Sequence, residues 1–204
     1  GLVGNELVGF LEFLALLEDR NKDVESLKGS FAQTSISEAI LEEAVYTGRF
    51  YYVKPDQFRI DYTDKEGKKV ESTVLMLANE AWDYIPSIEQ ATRMRLNTRA
   101  KDPRGINPFL LGFGAQARKA LDYYNVELGR QDSSGETFTL IFRGKEPDET
   151  LPFVTATITF DRESLRPKTL VLLDSIGYRR DISLGDVETN ASINLTVLGV
   201  NGTP

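Results

Sequence analysis

Histidine and cysteine are both missing from this 204-residue chain. Their absence excludes thiol nucleophiles, disulfides, Cys/His metal sites and imidazole general bases. Basic residues are in deficit: the net charge is −7. Nucleic acid is therefore not expected as a partner, because phosphate binding is driven by clustered Lys and Arg. No apolar run reaches the ~20 residues needed to span a bilayer. The longest, LVGFLEFLALLE, is interrupted by Glu12 and has no basic flank, so it is not a signal peptide. The first residue is Gly rather than Met, and a leader is expected to have been removed. Repeats, low-complexity tracts and interdomain linkers are not found either, which predicts a single domain over 1–204.

Aromatics are plentiful, with 11 Phe and 8 Tyr. The N-terminal segment has helical periodicity: Leu7, Phe10, Leu11, Leu14 and Leu17 recur at three- and four-residue steps. Val8, Phe13 and Leu16 widen its apolar face, and Asn5 is a candidate cap. After Gly29 the chain becomes strand-like. KGSFAQTSIS, AVYTGRFYYV, FRIDYTD, ESTVLMLANEAWDYIP, ATRMRL, YYNVELG, TFTLIFRG, FVTATITFD, KTLVLLD and ASINLTVLG are rich in Thr, Val, Ile, Tyr and Phe. The breaks between them are short and favour antiparallel neighbours. Several alternate: Val154, Ala156, Ile158 and Phe160 share one face, and threonines take the other. NPFLLGFGAQARKALDY reads as a short inserted helix, bent by its glycines. The fold class predicted is mainly β (α+β). About ten antiparallel strands would curl strongly into an incomplete β-barrel.

No motif carries catalytic chemistry. GFGAQA, Gly112 to Ala117, matches a loose G-x-G-x-x-A, but not in the strand–turn–helix setting of a dinucleotide site. The acid clusters at Glu42-Glu43, Glu146 to Glu149 and Asp161 to Glu163 read as solvated turns. No metal, cofactor or catalytic residue is expected, and the protein is not expected to be an enzyme. Arg93, Arg95, Arg99, Lys101 and Arg104 stand against a single acid, Asp102. They could meet an acidic partner or lipid headgroups, or form a solvated strand end. Trp82 and Tyr84 alternate on one strand, as core or as cavity lining. In GRFYYVKPDQFRIDY, Pro55 cannot donate to a ladder and is expected at a strand break. Phe50, Tyr52 and Lys54 share strand parity. Facing inward, Lys54 would need acceptors such as the carbonyls at a helix C-terminus; facing outward, it would snorkel to solvent.

Several segments in order resemble the periplasmic outer-membrane lipoprotein carrier family, LolA. They are LKGSFAQT, TGRFYYVKPDQFRIDY, ANEAWDYIPSIEQAT, INPFLLGFG and DYYNVELGRQDSSGETFTLIFR. The resemblance implies an incomplete barrel with helices as a lid over a cavity for lipoprotein acyl chains. It also implies an inner-membrane exporter and an outer-membrane receptor as partners. The expected protein is a periplasmic, non-spanning monomer that shuttles acylated lipoprotein or other lipid cargo. The alternative is a LolA-like binding or sensor module for another lipid or a protein partner. The family's latch arginine falls on Lys54, a point donor rather than a fork. The expected cavity residues are Phe10, Leu14, Phe50, Tyr52, Phe58, Ile60, Trp82, Tyr84, Phe109, Leu110 and Phe113.

Overall fold

The computed structural model describes residues 4–96, 102–129, 134–146 and 150–194, with side chains from residue 9 onward. Helix α1 runs Gly4–Arg20. A first run of strands follows: β1 Ser26–Ser37, β2 Glu42–Val53, β3 Gln57–Thr63, β4 Val70–Met76, β5 Glu80–Ile85 and β6 Gln90–Arg95. Short helices α2 Pro108–Leu111 and α3 Ala117–Ala120 come next. A second run closes the chain: β7 Tyr124–Leu128, β8 Thr137–Gly144, β9 Thr155–Asp161, β10 Pro167–Leu173 and β11 Tyr178–Thr189. The eleven strands form one antiparallel sheet in the order β6-β5-β4-β3-β2-β1-β11-β10-β9-β8-β7. The sheet is not closed, and β6 and β7 are its edges. This is the fold class expected from the sequence.

Several local expectations need correction. ESTVLMLANEAWDYIP is not one of these: its turn residues Asn79-Glu80 predict a break, and it is two strands, β4 and β5, joined where Leu77 N–H donates to Glu80 O at 2.8 Å. The inserted helix is broken into α2 and α3. Gly114 takes φ +80° and Gln116 takes φ 62° between them, and a helix cannot pass through left-handed residues. Among the described residues the last strand is β11; of ASINLTVLG, residues 191–194 are irregular and 195–199 lie outside the described residues. Asn5 falls in the first turn of α1 rather than before it, and its side chain lies outside the described residues, as do those of Leu7 and Val8.

The chain packs as two compact units. The first comprises residues 1–23, 35–43 and 103–183. Its sheet face is a set of cross-strand apolar rows. Val126, Phe142, Ala156 and Leu172 form one, and Leu128, Leu140, Ile158 and Leu170 form the next. On the opposite face threonines pair, as in Thr139 with Thr159, 3.2 Å between hydroxyls. Helix α2 starts on a proline behind Asn107, whose Oδ1 accepts the Phe109 N–H at 3.0 Å.

The second unit comprises residues 24–34, 44–102 and 184–204. Lys54, Pro55 and Asp56 make the turn between β2 and β3, with a cis Lys54–Pro55 peptide. Tyr52 Oη donates to Pro55 O at 3.1 Å across it. Here glycines accept aromatic rings from neighbouring strands: the Phe50 ring lies over Gly29 and the Phe31 ring over Gly48.

Two turns depend on a charged acid. Asp161 Oδ1 accepts Ser164 N–H at 2.7 Å, and Asp64 Oδ1 accepts Lys68 N–H at 2.9 Å. These main-chain donors, Ser164 and Lys68, hold both carboxyls below the usual aspartate range. A depressed folded-state value contributes stability above the unfolded value, about 3.9, and loses it as pH falls through the folded one. Stability from these turns should be flat between about pH 5 and 7 and fall below about pH 4. Denaturant midpoints for Asp161→Asn and the parent chain should differ at neutral pH and converge in acid.

Candidate functional site

Phe10, Leu14 and Leu17 step along one side of α1 at intervals of four and three, and all are buried. Phe13 stands beside that stripe. The Phe10 ring meets Phe142 edge-on at 6.3 Å. The Phe13 ring meets Phe138 and Phe160 edge-on at 4.9 and 5.4 Å, and those two stack on each other at 5.1 Å. Polar contacts gather at the C-terminal end of the helix. Arg118 grips Glu18 through two bonds of 2.8 and 3.0 Å, and Asn21 Nδ2 donates to Leu17 O at 2.9 Å. Among the described residues, α1 from Phe10 to Leu17 meets this sheet through hydrocarbon and rings.

Phe109, Leu110 and Phe113 are buried in the same unit. The GFGAQA stretch positions them. A Cβ at Gly112 would come within 2.7 Å of the Pro167 ring. The Gln116 side chain staples the loop: its Oε1 accepts Asn107 N–H at 2.7 Å, and its Nε2 donates to Gly105 O at 3.0 Å. The motif is therefore structural: it fixes the path of the chain between α2 and α3.

In the second unit the β2–β3 register pairs Phe50 with Ile60 and Tyr52 with Phe58, putting all four on one face, buried. Lys54 lies in the turn beyond them, half-buried, and its main-chain N–H donates to Glu25 O at 3.0 Å. Burial, and then the charges of Asp56 and Glu25, push the Tyr52 phenol above its ordinary value.

Trp82 and Tyr84 do not join that face. Ile60 pairs with Val74 and Val74 with Asp83, whereas Trp82 pairs with Leu75 and Tyr84 with Thr73. Paired residues point the same way, so Trp82 and Tyr84 stand on the opposite side of the sheet, with Arg59 and Asp61. There Trp82 belongs to a polar cluster that the sequence does not reveal. Arg93 Nε donates to Glu80 Oε2 at 2.6 Å, and its guanidinium lies 5.5 Å from the Trp82 ring centre. Bonds from the Trp82 indole and from Arg93 hold the Glu80 carboxyl below its usual range.

The basic run is also divided. Arg93 and Arg95 are exposed on the edge strand β6 in the second unit, Arg104 belongs to the first, and Arg99 and Lys101 lie outside the described residues. No described helix is long and apolar enough to cross a membrane.

The family model for the outer membrane lipoprotein carrier protein LolA matches residues 22–197. The chain belongs to the LolA family. Solved structures share this LolA fold at low identity. An uncharacterised conserved protein from Thermus thermophilus is 14% identical, with 93% of this chain and 92% of that one covered, at TM-score 0.54. A Vibrio parahaemolyticus domain named for outer membrane lipoprotein sorting is 10% identical, with 94% and 96% covered, at TM-score 0.52. A DUF1329 family protein from Desulfovibrio piger is 10% identical, with 89% and 92% covered, at TM-score 0.51. No curated protein matches the sequence.

Proposed function

We propose that this LolA-family protein is a periplasmic, non-enzymatic carrier that takes lipoprotein acyl chains onto the apolar sheet face now covered by α1. The observation that carries the reading is the chemistry of that cover. From Phe10 to Leu17 the helix offers the sheet the same thing an acyl chain offers, namely hydrocarbon without polar pairing. Burial of each CH₂ is worth about 0.8 kcal/mol, so one long chain could supply roughly 10 kcal/mol. Cargo held with all of that would leave slowly. A helix that must first be displaced subtracts its own contact free energy from the affinity. The buried face of Phe50, Tyr52, Phe58 and Ile60 is a second apolar surface open to the same use in its own unit.

Competition between helix and cargo gives opposite signs on the two sides of the contact. Phe10→Ala weakens the cover and should tighten binding of a fluorescent fatty acid or a triacylated lipopeptide by about tenfold, since 1.4 kcal/mol less opening cost is one decade. Phe142→Ala removes part of the seat and should weaken it. Titration of both variants by fluorescence and calorimetry separates the cases. Equal signs, or no uptake by the parent chain, would end the carrier reading.

A further inference from the structure

Two hairpin tips in the first unit lie side by side. The β1–β2 turn presents Glu38 N–H to Gly177 O of the β10–β11 turn at 3.4 Å. On them stand three large aliphatic side chains in water: Ile40 is 64% exposed, Leu41 86% and Ile176 81%. Exposure of single aliphatics is ordinary, but three on adjoining tips make a patch.

Leu41 is the decisive residue. Its φ is 52°, in the left-handed region, and its N–H closes a turn onto Ser37 O at 2.8 Å. That conformation favours Gly or Asn, and leucine there carries a steric cost. Water also favours a polar residue. Both the backbone and the solvent therefore disfavour leucine at this position, and at 86% exposure its side chain gains little from the fold to offset them. The second tip is built differently. Asp174 Oδ1 accepts the N–H groups of Ile176 and Tyr178 at 3.1 and 2.9 Å, and Gly177 supplies φ +81°. The turn is complete without the Ile176 side chain, which is left at the apex.

Carboxylates surround these aliphatics: Glu42 and Glu43 are exposed on the first hairpin, beside Glu38, and Asp174 lies half-buried on the second. Two bases follow the second tip on β11, Arg179 and Arg180, against the four carboxylates; Arg179 is engaged by Asp181 at 2.7 Å and feels Glu38. The geometry points to a docking knob for a protein partner that has an aliphatic socket rimmed by Lys and Arg. Two other occupants fit less well. Anionic headgroups would repel the carboxylates. A second copy meeting tip to tip would bring like charges together. This surface is separate from the sheet face under α1, so it does not depend on the acyl-chain reading.

The test places a photoactivatable benzoylphenylalanine at position 41 in cells that naturally make the protein. The partner in the resulting adduct is identified by mass, purified and titrated calorimetrically with the parent chain. Leu41→Asn and the pair Glu42→Lys, Glu43→Lys should each raise Kd at least about tenfold, roughly 1.4 kcal/mol. Fatty-acid uptake should stay unchanged in both, and Leu41→Asn should melt at or above the parent temperature because Asn suits the turn. No adduct, or an affinity indifferent to both variants, would overturn the knob. So would Leu41-dependent binding to phosphatidylethanolamine–phosphatidylglycerol vesicles, or an adduct composed of two copies of this chain. Loss of fatty-acid uptake in the parent chain alone would leave the knob standing and remove only the carrier reading.

Discussion

Phe160→Ala should be the most damaging single truncation in the first unit, costing about 4 kcal/mol. Phe160 is fully buried, stacks on Phe138 and receives Phe13 edge-on. Removing the ring takes away its transfer free energy and leaves a cavity that two other rings are too rigid to refill. For a chain of this size, about 4 kcal/mol lowers the melting temperature by roughly 10 °C. Part of the loss should appear in α1, because Phe13 keeps only Phe138 as a ring partner. Hydrogen exchange in α1 should therefore quicken more than in β11. If Phe160→Leu lost as much as Phe160→Ala, ring stacking rather than volume would be the main term.

Gly48→Val should cost about 3 kcal/mol from the opposite cause, too many atoms rather than too few. A Cβ at Gly48 would run into the carbonyl oxygen of Asp61 and the Phe31 ring. The ring could swing aside, but the carbonyl is fixed in the β2–β3 ladder, where Gly48 pairs with Tyr62. Phe31 packs edge-on to Tyr62 at 5.6 Å, so displacing it disturbs a second contact. Because the first added carbon already collides, Gly48→Ala should lose most of what Gly48→Val loses. Gly9→Ala is the control. Nothing lies within 4 Å of its Cβ position, and alanine in a helix should gain about 0.5–1 kcal/mol. Denaturant midpoints of the three variants check the set.

The parts legible in sequence are those in which a residue's neighbours along the chain reveal its environment. The α1 stripe and the alternation in β9 are of this kind, because periods of 3.6 and 2 are written in the chain itself. Strand β11 escapes such a reading for the converse reason. YRRDISLGDVET is mostly polar, and it is a strand because both its neighbours in the sheet satisfy its backbone. The side of the sheet on which Trp82 and Tyr84 stand is hidden in the sequence for a related reason. Their shared parity is visible, but which face that parity meets is set by the β3–β4–β5 register, information held by three strands together. The Glu80–Trp82–Arg93 cluster likewise needs the β5–β6 pairing before it exists. Phe50, Tyr52, Phe58 and Ile60 are recoverable because a single hairpin joins them.

The strand order has a kinetic consequence. Of the ten neighbouring pairs in the sheet, nine join strands adjacent in sequence, and the tenth is β1 with β11. Nine pairings close over short turns, where the entropy of loop closure is small and formation is rapid. The tenth must bring together residues near 30 and near 185, and that one pairing carries the long-range cost of the topology. Folding should therefore assemble two meanders quickly and then wait on a single slow seam. Asn190, whose Oδ1 accepts Glu25 N–H at 2.7 Å beside that seam, sits where a slow step would be felt.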